Sequence, residues 1–269
     1  MEGNGQLAFI VEKIMSKNAL FAVCIYPEEN KIPIEFRYAI NTFEKYCEKY
    51  NLDLILVDKP KYNVVGSKYK YNYMVLEKFQ AYDYFDDYDR LFKVDLDALI
   101  TVNCPNVFDL VPEDCIGAMY EDLGKRRKER HYQMKQVQDV FGNVLGWTEG
   151  YFNEGIMVAS KQHRDFNKLT KDDIHNFTEE EIGINRTQNV VNWKVRKEGY
   201  QIFPLEYKFN HMFMFDEVNI ANIKRGSLLS DNTKNSYIIH YAGLKGKIRN
   251  RRMTRDYKKI IRDWKTEGY

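Results

Sequence analysis

Two carboxylates, Asp95 and Asp97, stand one residue apart in the segment RLFKVDLDALIT, residues 90–101. Leu91, Phe92, Val94, Leu96, Leu99 and Ile100 surround them, a set of side chains that belongs in a protein interior. Burying an unpaired carboxylate is costly or forces its protonation, so the pair needs a partner. Lys93 alternates with both aspartates and on a strand would share their face, giving an ion pair or a simple turn cap. A divalent cation is the other candidate. Magnesium and manganese take carboxylate oxygens and keep open positions for phosphate groups. A D-x-D at a strand end, with a turn after it, lets one or both carboxylates share an ion with a diphosphate.

Placing such a pair takes a sheet. The runs LFAVCIY (20–26), LDLILVD (52–58) and RLFKVDLD (90–97) read as strands. Between them, PIEFRYAINTFEKYCEKY (33–50) carries Phe36, Ile40, Phe43 and Cys47 near helical spacing, with Pro33 suited to a first turn. YNYMVLEKFQAYDYFDDY (71–88) reads as a helix with Leu76, Phe79 and Phe85 inward. Strand, helix, strand, helix, strand is the pattern of right-handed βαβ units and a parallel sheet. Ligands of such sheets sit beyond the carboxyl ends of the strands, where Asp95 and Asp97 fall. CIGAMYE (115–121), GIMVAS (155–160) and YIIHYAG (237–243) read as further strands, and 185–199 as a helix ended by Gly199. The long polar stretch between the first two of these reads as a lid or acceptor loop, and its KRRKER run as a solvated helix face.

The 269 residues suit one large α/β domain. Charged residues make up 30% of the chain and no run of 18 apolar residues occurs, so a spanning helix is not expected. The opening MEGNGQLAFIVEKIM is too interrupted by charge for a secretory signal. Cys24, Cys47, Cys104 and Cys115 lack metal-ligand spacing and read as free thiols of a reducing, cytoplasmic compartment. The net charge is +2, but residues 244–269 hold ten lysines and arginines against three acids, a local +7.

Five motifs in order carry a resemblance. LEKFQAYDYFDDYDRLFKVDLDALIT places Lys78 ahead of the D-x-D; YFNEGIMVAS (151–160), TQNVVN (187–192), FPLEYKFNHM (203–212) and IIHYAGLKGK (238–247) follow. In order and spacing they resemble the GT-A glycosyltransferases, most of all the family 8 branch. Thr187 stands where that family usually has aspartate, and Lys245 and Lys247 are out of register by one.

The resemblance implies a GT-A fold, a mixed and mainly parallel central sheet flanked by helices. It implies that Asp95, Asp97 and His240 hold manganese (or magnesium), with Asp95 also near the donor. Gly243, Lys245 and Lys247 would face the leaving diphosphate, and Asn153 and Gly155 the floor under donor sugar and acceptor. Gln188 would lie on the reactive side of the anomeric centre or be an ordinary helix glutamine. Glu154 would be solvent-facing, an acceptor contact or a general base, and Lys78 a donor contact or a surface lysine. By their places at strand ends, Tyr26 would stack on a base and Asp58 bind a uracil edge or ribose.

The function expected is metal-dependent transfer from a nucleotide-sugar donor, a UDP-sugar above all, to a hydroxyl of a glycan, lipid-linked or protein acceptor. The alternative is a non-catalytic nucleotide- or sugar-binding module on the same scaffold. Nucleic acid is not an expected partner, since no recognition fold accompanies the basic runs. The expected domains are a transferase domain over 1–251 and a basic helix over 252–269. Met253, Tyr257, Ile260, Ile261 and Trp264 form one apolar stripe on that helix. The stripe either docks on the domain or lies on an anionic membrane, with Trp264 at the interface.

Overall fold

The computed structural model describes residues 17–26, 31–62, 73–180, 182, 186–212 and 235–269. The N-terminal tract read for a secretory signal lies outside them.

The first three apolar runs become neighbouring parallel strands. β1 (Asn18–Val23) lies between β2 (Asp53–Val57) and β3 (Arg90–Val94), with Leu20 opposite both Leu54 and Phe92. The crossover from β1 to β2 is α1 (Ile34–Tyr50), which starts after Pro33 and stops at Asn51 in the left-handed region. Its Phe43, Tyr46 and Cys47 are buried on the sheet, while Phe36 and Ile40 are half-buried.

The segment 71–88 departs from the expected helix. A 3-10 helix, Tyr73–Gln80, leads into a single α-turn, α2 (Ala81–Tyr84). In the tighter winding, side chains three apart eclipse. Gln80 thereby donates to the Glu77 carboxylate at 2.7 Å, and that carboxylate also takes the Lys61 and Tyr62 amides. Leu76, Phe79 and Phe85 still point inward.

RLFKVDLD is likewise not one strand. β3 stops at Val94, the chain turns with the Ala98 amide on the Asp95 carbonyl at 3.1 Å, and β4 (Ala98–Ile100) begins in a second sheet. The short helix α3 (Val107–Leu110) follows, then β5 (Cys115–Tyr120). The expected lid is instead α4 (Arg127–Phe141), packed on the later helix 186–197 through Met134, Val137, Trp147, Tyr151 and Trp193. Arg127 and Lys128 of KRRKER are exposed as expected, but Arg126 and Arg130 turn inward to Glu121.

β6 (Phe152–Ser160) is buried along its whole length because both faces are covered. Ile156 and Val158 join the core on the α1 side, and Phe152, Met157 and Ala159 the core on the other. The second core is closed by α6 (Arg186–Lys197), which follows α5 (Lys171–Glu179) and precedes β7 (Gln201–Pro204). The six-stranded order is β2-β1-β3-β6-β5-β7, with β6 alone reversed. The small sheet is β4-β9-β8, from β8 (His211–Met212) and β9 (Ile238–His240).

The chain ends in α7 (Gly246–Thr266), packed on α1 and β4. Met253, Ile260 and Trp264 are buried, and the Trp264 indole donates to the Ile100 carbonyl at 3.1 Å. The apolar stripe therefore docks on the domain and cannot present Trp264 to a bilayer. A boundary at 251/252 would cut this helix, which contributes to the main core. The four cysteines are free thiols, three of them buried. Among the described residues no helix is long and apolar enough to cross a membrane.

Candidate active site

The turn between β3 and β4 divides the aspartate pair between two sheets. The Asp95 amide donates to the Gly155 carbonyl on β6 at 2.8 Å, and the Asp97 carbonyl takes the Tyr241 amide at 2.7 Å. β9 pairs with β4 so that His240 lies opposite Ala98. Asp95, Asp97 and His240 thus converge from distant parts of the chain, each offering a ligand atom within 4.8 Å of the others. Two carboxylates and an imidazole suit manganese or magnesium, the imidazole favouring the former. Gly155 lets His240 and Asp95 approach the backbone of β6 closely. A Cβ there would come within 2.5 Å of His240 Cε1 and 2.8 Å of Asp95 Oδ2. The residues present therefore fit a divalent cation.

Lys78, not Lys93, is the cation paired with Asp95, at 2.7 Å from Oδ1, and it also reaches Glu154 at 3.4 Å. Burial alone would lower the Lys78 pKa; Asp95 and Glu154 reverse that and raise it. Lys93 turns the other way, onto Asn167 Oδ1 at 2.7 Å and over the Phe166 ring, and burial pulls its amine down to about 8. His240 Nε2 lies 3.2 Å from Asp97 Oδ1. Burial opposes both charges of this pair, yet mutual attraction wins: His240 is raised above its ordinary value and Asp97 lowered.

A one-way chain of hydrogen bonds leads away from His240. Its Nδ1 lies 2.8 Å from Asn210 Oδ1; Asn210 Nδ2 donates to Asn153 Oδ1 at 2.9 Å; Asn153 Nδ2 donates to Gln188 Oε1 at 3.0 Å; Gln188 Nε2 donates to Glu121 Oε2 at 2.5 Å. Arg130 and Arg126 hold the Glu121 carboxylate, which can only accept. Each amide orientation fixes the next, so Nδ1 of His240 donates to Asn210 and Nε2 is the nitrogen turned to Asp97, donating to it when the imidazole is charged and free for a metal once that proton leaves.

Glu154 is buried rather than solvent-facing. Its Oε1 takes the Thr187 hydroxyl and Lys78. The carboxylate beside the head of α6 thus comes from β6, with Thr187 supplying only a hydroxyl. Much of 187–192 is locked into the core rather than lining a cavity. Asn192, for example, clasps the Phe152 amide and carbonyl at 2.9 and 2.8 Å. Gly243 has φ +78 in the turn after His240, and the Lys245 and Lys247 side chains are exposed. Tyr26 and Asp58 lie past the ends of β1 and β2, Tyr26 with its ring 6.2 Å from that of Phe36, Asp58 exposed, and neither makes a hydrogen bond or ion pair to the cluster. Sequence reasoning missed Glu121, Arg130 and Asn210. Glu121 carried a usable signal, an acid at the carboxyl end of an apolar strand like Asp95; Asn210 stood in the motif FPLEYKFNHM but was given no role.

The model of the family described as glycosyl transferase family 8 matches residues 6–247. Among proteins with curated descriptions, none matches. Among solved structures, a glycosyltransferase involved in the glycosylation of the major capsid of PBCV-1 shares 11% identity over 88% of this chain and 98% of its own, with a TM-score of 0.54. The galactosyltransferase LgtC, solved with donor and acceptor sugar analogs, shares 12% over 90% of this chain and 96% of its own, with a TM-score of 0.53. At such identities these two show the fold, GT-A, and the family match covers most of the chain. The protein with this Asp-Asp-His cluster therefore belongs to glycosyl transferase family 8 and is a glycosyltransferase.

Proposed function

We propose that the enzyme moves a sugar from a nucleotide-diphosphate donor, a UDP-sugar above all, to a hydroxyl of a glycan, lipid-linked or protein acceptor. The observation that carries this reading is the convergence of Asp95, Asp97 and His240 where Gly155, lacking a side chain, lets His240 and Asp95 close on β6. These three residues would hold manganese or magnesium, which when bound supplies positive charge for the diphosphate. Lys245 and the backbone of the Gly243 turn add donors on the side where the leaving group gathers charge. Tyr26 and Asp58 face the nucleoside. Asn153 and Gly155 form the floor. Gln188, tethered at both ends of its amide, keeps a fixed dipole beside the anomeric carbon, and Glu154 adds negative charge near an oxocarbenium-like transition state. Lys78 bridges the Asp95 and Glu154 carboxylates and balances their charge.

The test is manganese-dependent hydrolysis of a panel of nucleotide sugars. Turnover of at least one is expected, and Asp97→Asn should reduce it by at least about 100-fold with the fold intact by circular dichroism. Wild-type turnover in the variant would sink the metal assignment. UDP binding without turnover of any donor would leave a binding module, the reading that the missing helix aspartate at Thr187 favours.

A further inference from the structure

With the apolar stripe of α7 buried, its opposite face is left bearing Lys247, Arg251, Arg255, Lys258, Arg262 and Lys265. The steps of four, four, three, four and three residues align all six on one side, a row about 27 Å long. Five of them are exposed and Arg255 is half-buried. None of the six is ion-paired with another described residue, whereas Arg249, off the row, pairs with Glu35 at 3.7 Å. Of the two acids on the helix, Asp256 is buried against Tyr241 and Asp263 stands alone at the surface.

Two further features mark the N-terminal end of this row. Lys247, Asn250, Arg251 and Thr254 line a recess of about 590 Å³ with Glu35, whose carboxylate is already occupied by Asn250 at 2.9 Å. Beside it in sequence, Ile34 and Ile248 are 45% and 47% exposed. We infer that this face of α7 docks the protein on an anionic phospholipid bilayer. Headgroup phosphates would meet the cation row and enter the recess, and Ile34 and Ile248 would sink into the interface.

Charge complementarity selects the partner and its orientation. Residues 244–269 carry +7 and the remainder about −5, so an anionic surface attracts α7 and repels the rest. A nucleic acid would answer the cations but gain nothing from two exposed isoleucines; a bilayer answers both. Ile248 follows His240 by eight residues in the chain. The docking itself does not depend on the donor chemistry proposed above.

The experiment is sedimentation of the full-length protein with vesicles of phosphatidylcholine alone or mixed with phosphatidylglycerol. Binding is expected to the anionic vesicles at low salt, to be lost at high salt, and to be absent with neutral vesicles. The triple variant Arg251→Glu, Lys258→Glu, Arg262→Glu should lower partitioning at least about tenfold, with an unchanged melting temperature and unchanged donor hydrolysis. Ile248→Asp should weaken partitioning at constant melting temperature, which separates insertion from charge alone. Failure to sediment with anionic vesicles at low salt overturns the inference. So does undiminished binding by the triple variant, or retention on heparin without vesicle binding, which would mark a general polyanion surface. Loss of donor hydrolysis in the wild type would strike the transfer reading and leave this one standing.

Discussion

At the scale of single residues, the imidazole of His240 can serve a metal only through a nitrogen without a proton. The amide chain through Asn210, Asn153 and Gln188 to Glu121 settles which nitrogen that is. Asn210→Leu removes the acceptor for Nδ1 and should weaken manganese binding about 10–100-fold. Calorimetric titration checks this, and unchanged affinity would mean that Asp97 alone orients the ring. Protons compete for the same site. Because Asp97 holds the His240 pKa above its ordinary 6.5, protonation interferes at higher pH than for a free histidine. Manganese affinity is therefore expected to fall as pH drops through that raised value, with protons released on binding. Titrations in two buffers of different ionisation enthalpy measure the release; equal heats near pH 6.5 would contradict it. In the metal-free protein the signs are opposite for the two partners. The raised His240 contributes stability that is complete below its unfolded pKa and lost as pH rises through the folded one. The lowered Asp97 contributes stability present above its unfolded pKa and lost as pH falls through the folded one.

At the scale of elements, the turn at 95–97 matters because it joins strands of two different sheets. β4 and β9 bring His240 to Asp97, and α7 backs β4 from outside. Trp264 is the anchor of that contact, fully buried with its indole on the Ile100 carbonyl. Trp264→Ala should destabilise the protein by about 3–5 kcal/mol, read by urea denaturation. A loss under about 1 kcal/mol would mean that α7 is peripheral to the folded core. The 3-10 helix before β3 illustrates the limit of pattern reading at this scale. Leu76, Phe79 and Phe85 point inward in either winding, and the Glu77 contacts with residues distant in sequence favour the tighter one.

At the scale of the whole molecule, the metal cluster straddles the seam between the sheets, with Asp95 fixed to β6 and Asp97 and His240 on the small sheet. A cation bound there joins both halves and is absent from the unfolded chain. Manganese at about 100 times its dissociation constant should add about 2.7 kcal/mol of stability, a rise of roughly 5–10 °C in melting temperature for a domain of this size. Differential scanning fluorimetry with and without chelator measures it, and Asp97→Asn should abolish the shift. A shift that survives in that variant would place the cation elsewhere.

The periodicities of LFAVCIY, LDLILVD and the helix between them determined the parallel half of the sheet, because side-chain spacing alone decides which face is buried. The D-x-D between apolar runs, His240 before a glycine turn and the alternation of Met253, Ile260 and Trp264 were likewise legible from types and spacing. Only the tertiary structure decided the rest. That the D-x-D is a corner between sheets depends on β4 finding β9, about 140 residues later in the chain. That Lys78 rather than Lys93 answers Asp95 depends on where the 3-10 helix packs. The partnerships of Glu121, Arg130 and Asn210 became visible only when folding buried them together, since a buried polar group declares its role through its partners, and partners far apart in sequence leave no local trace.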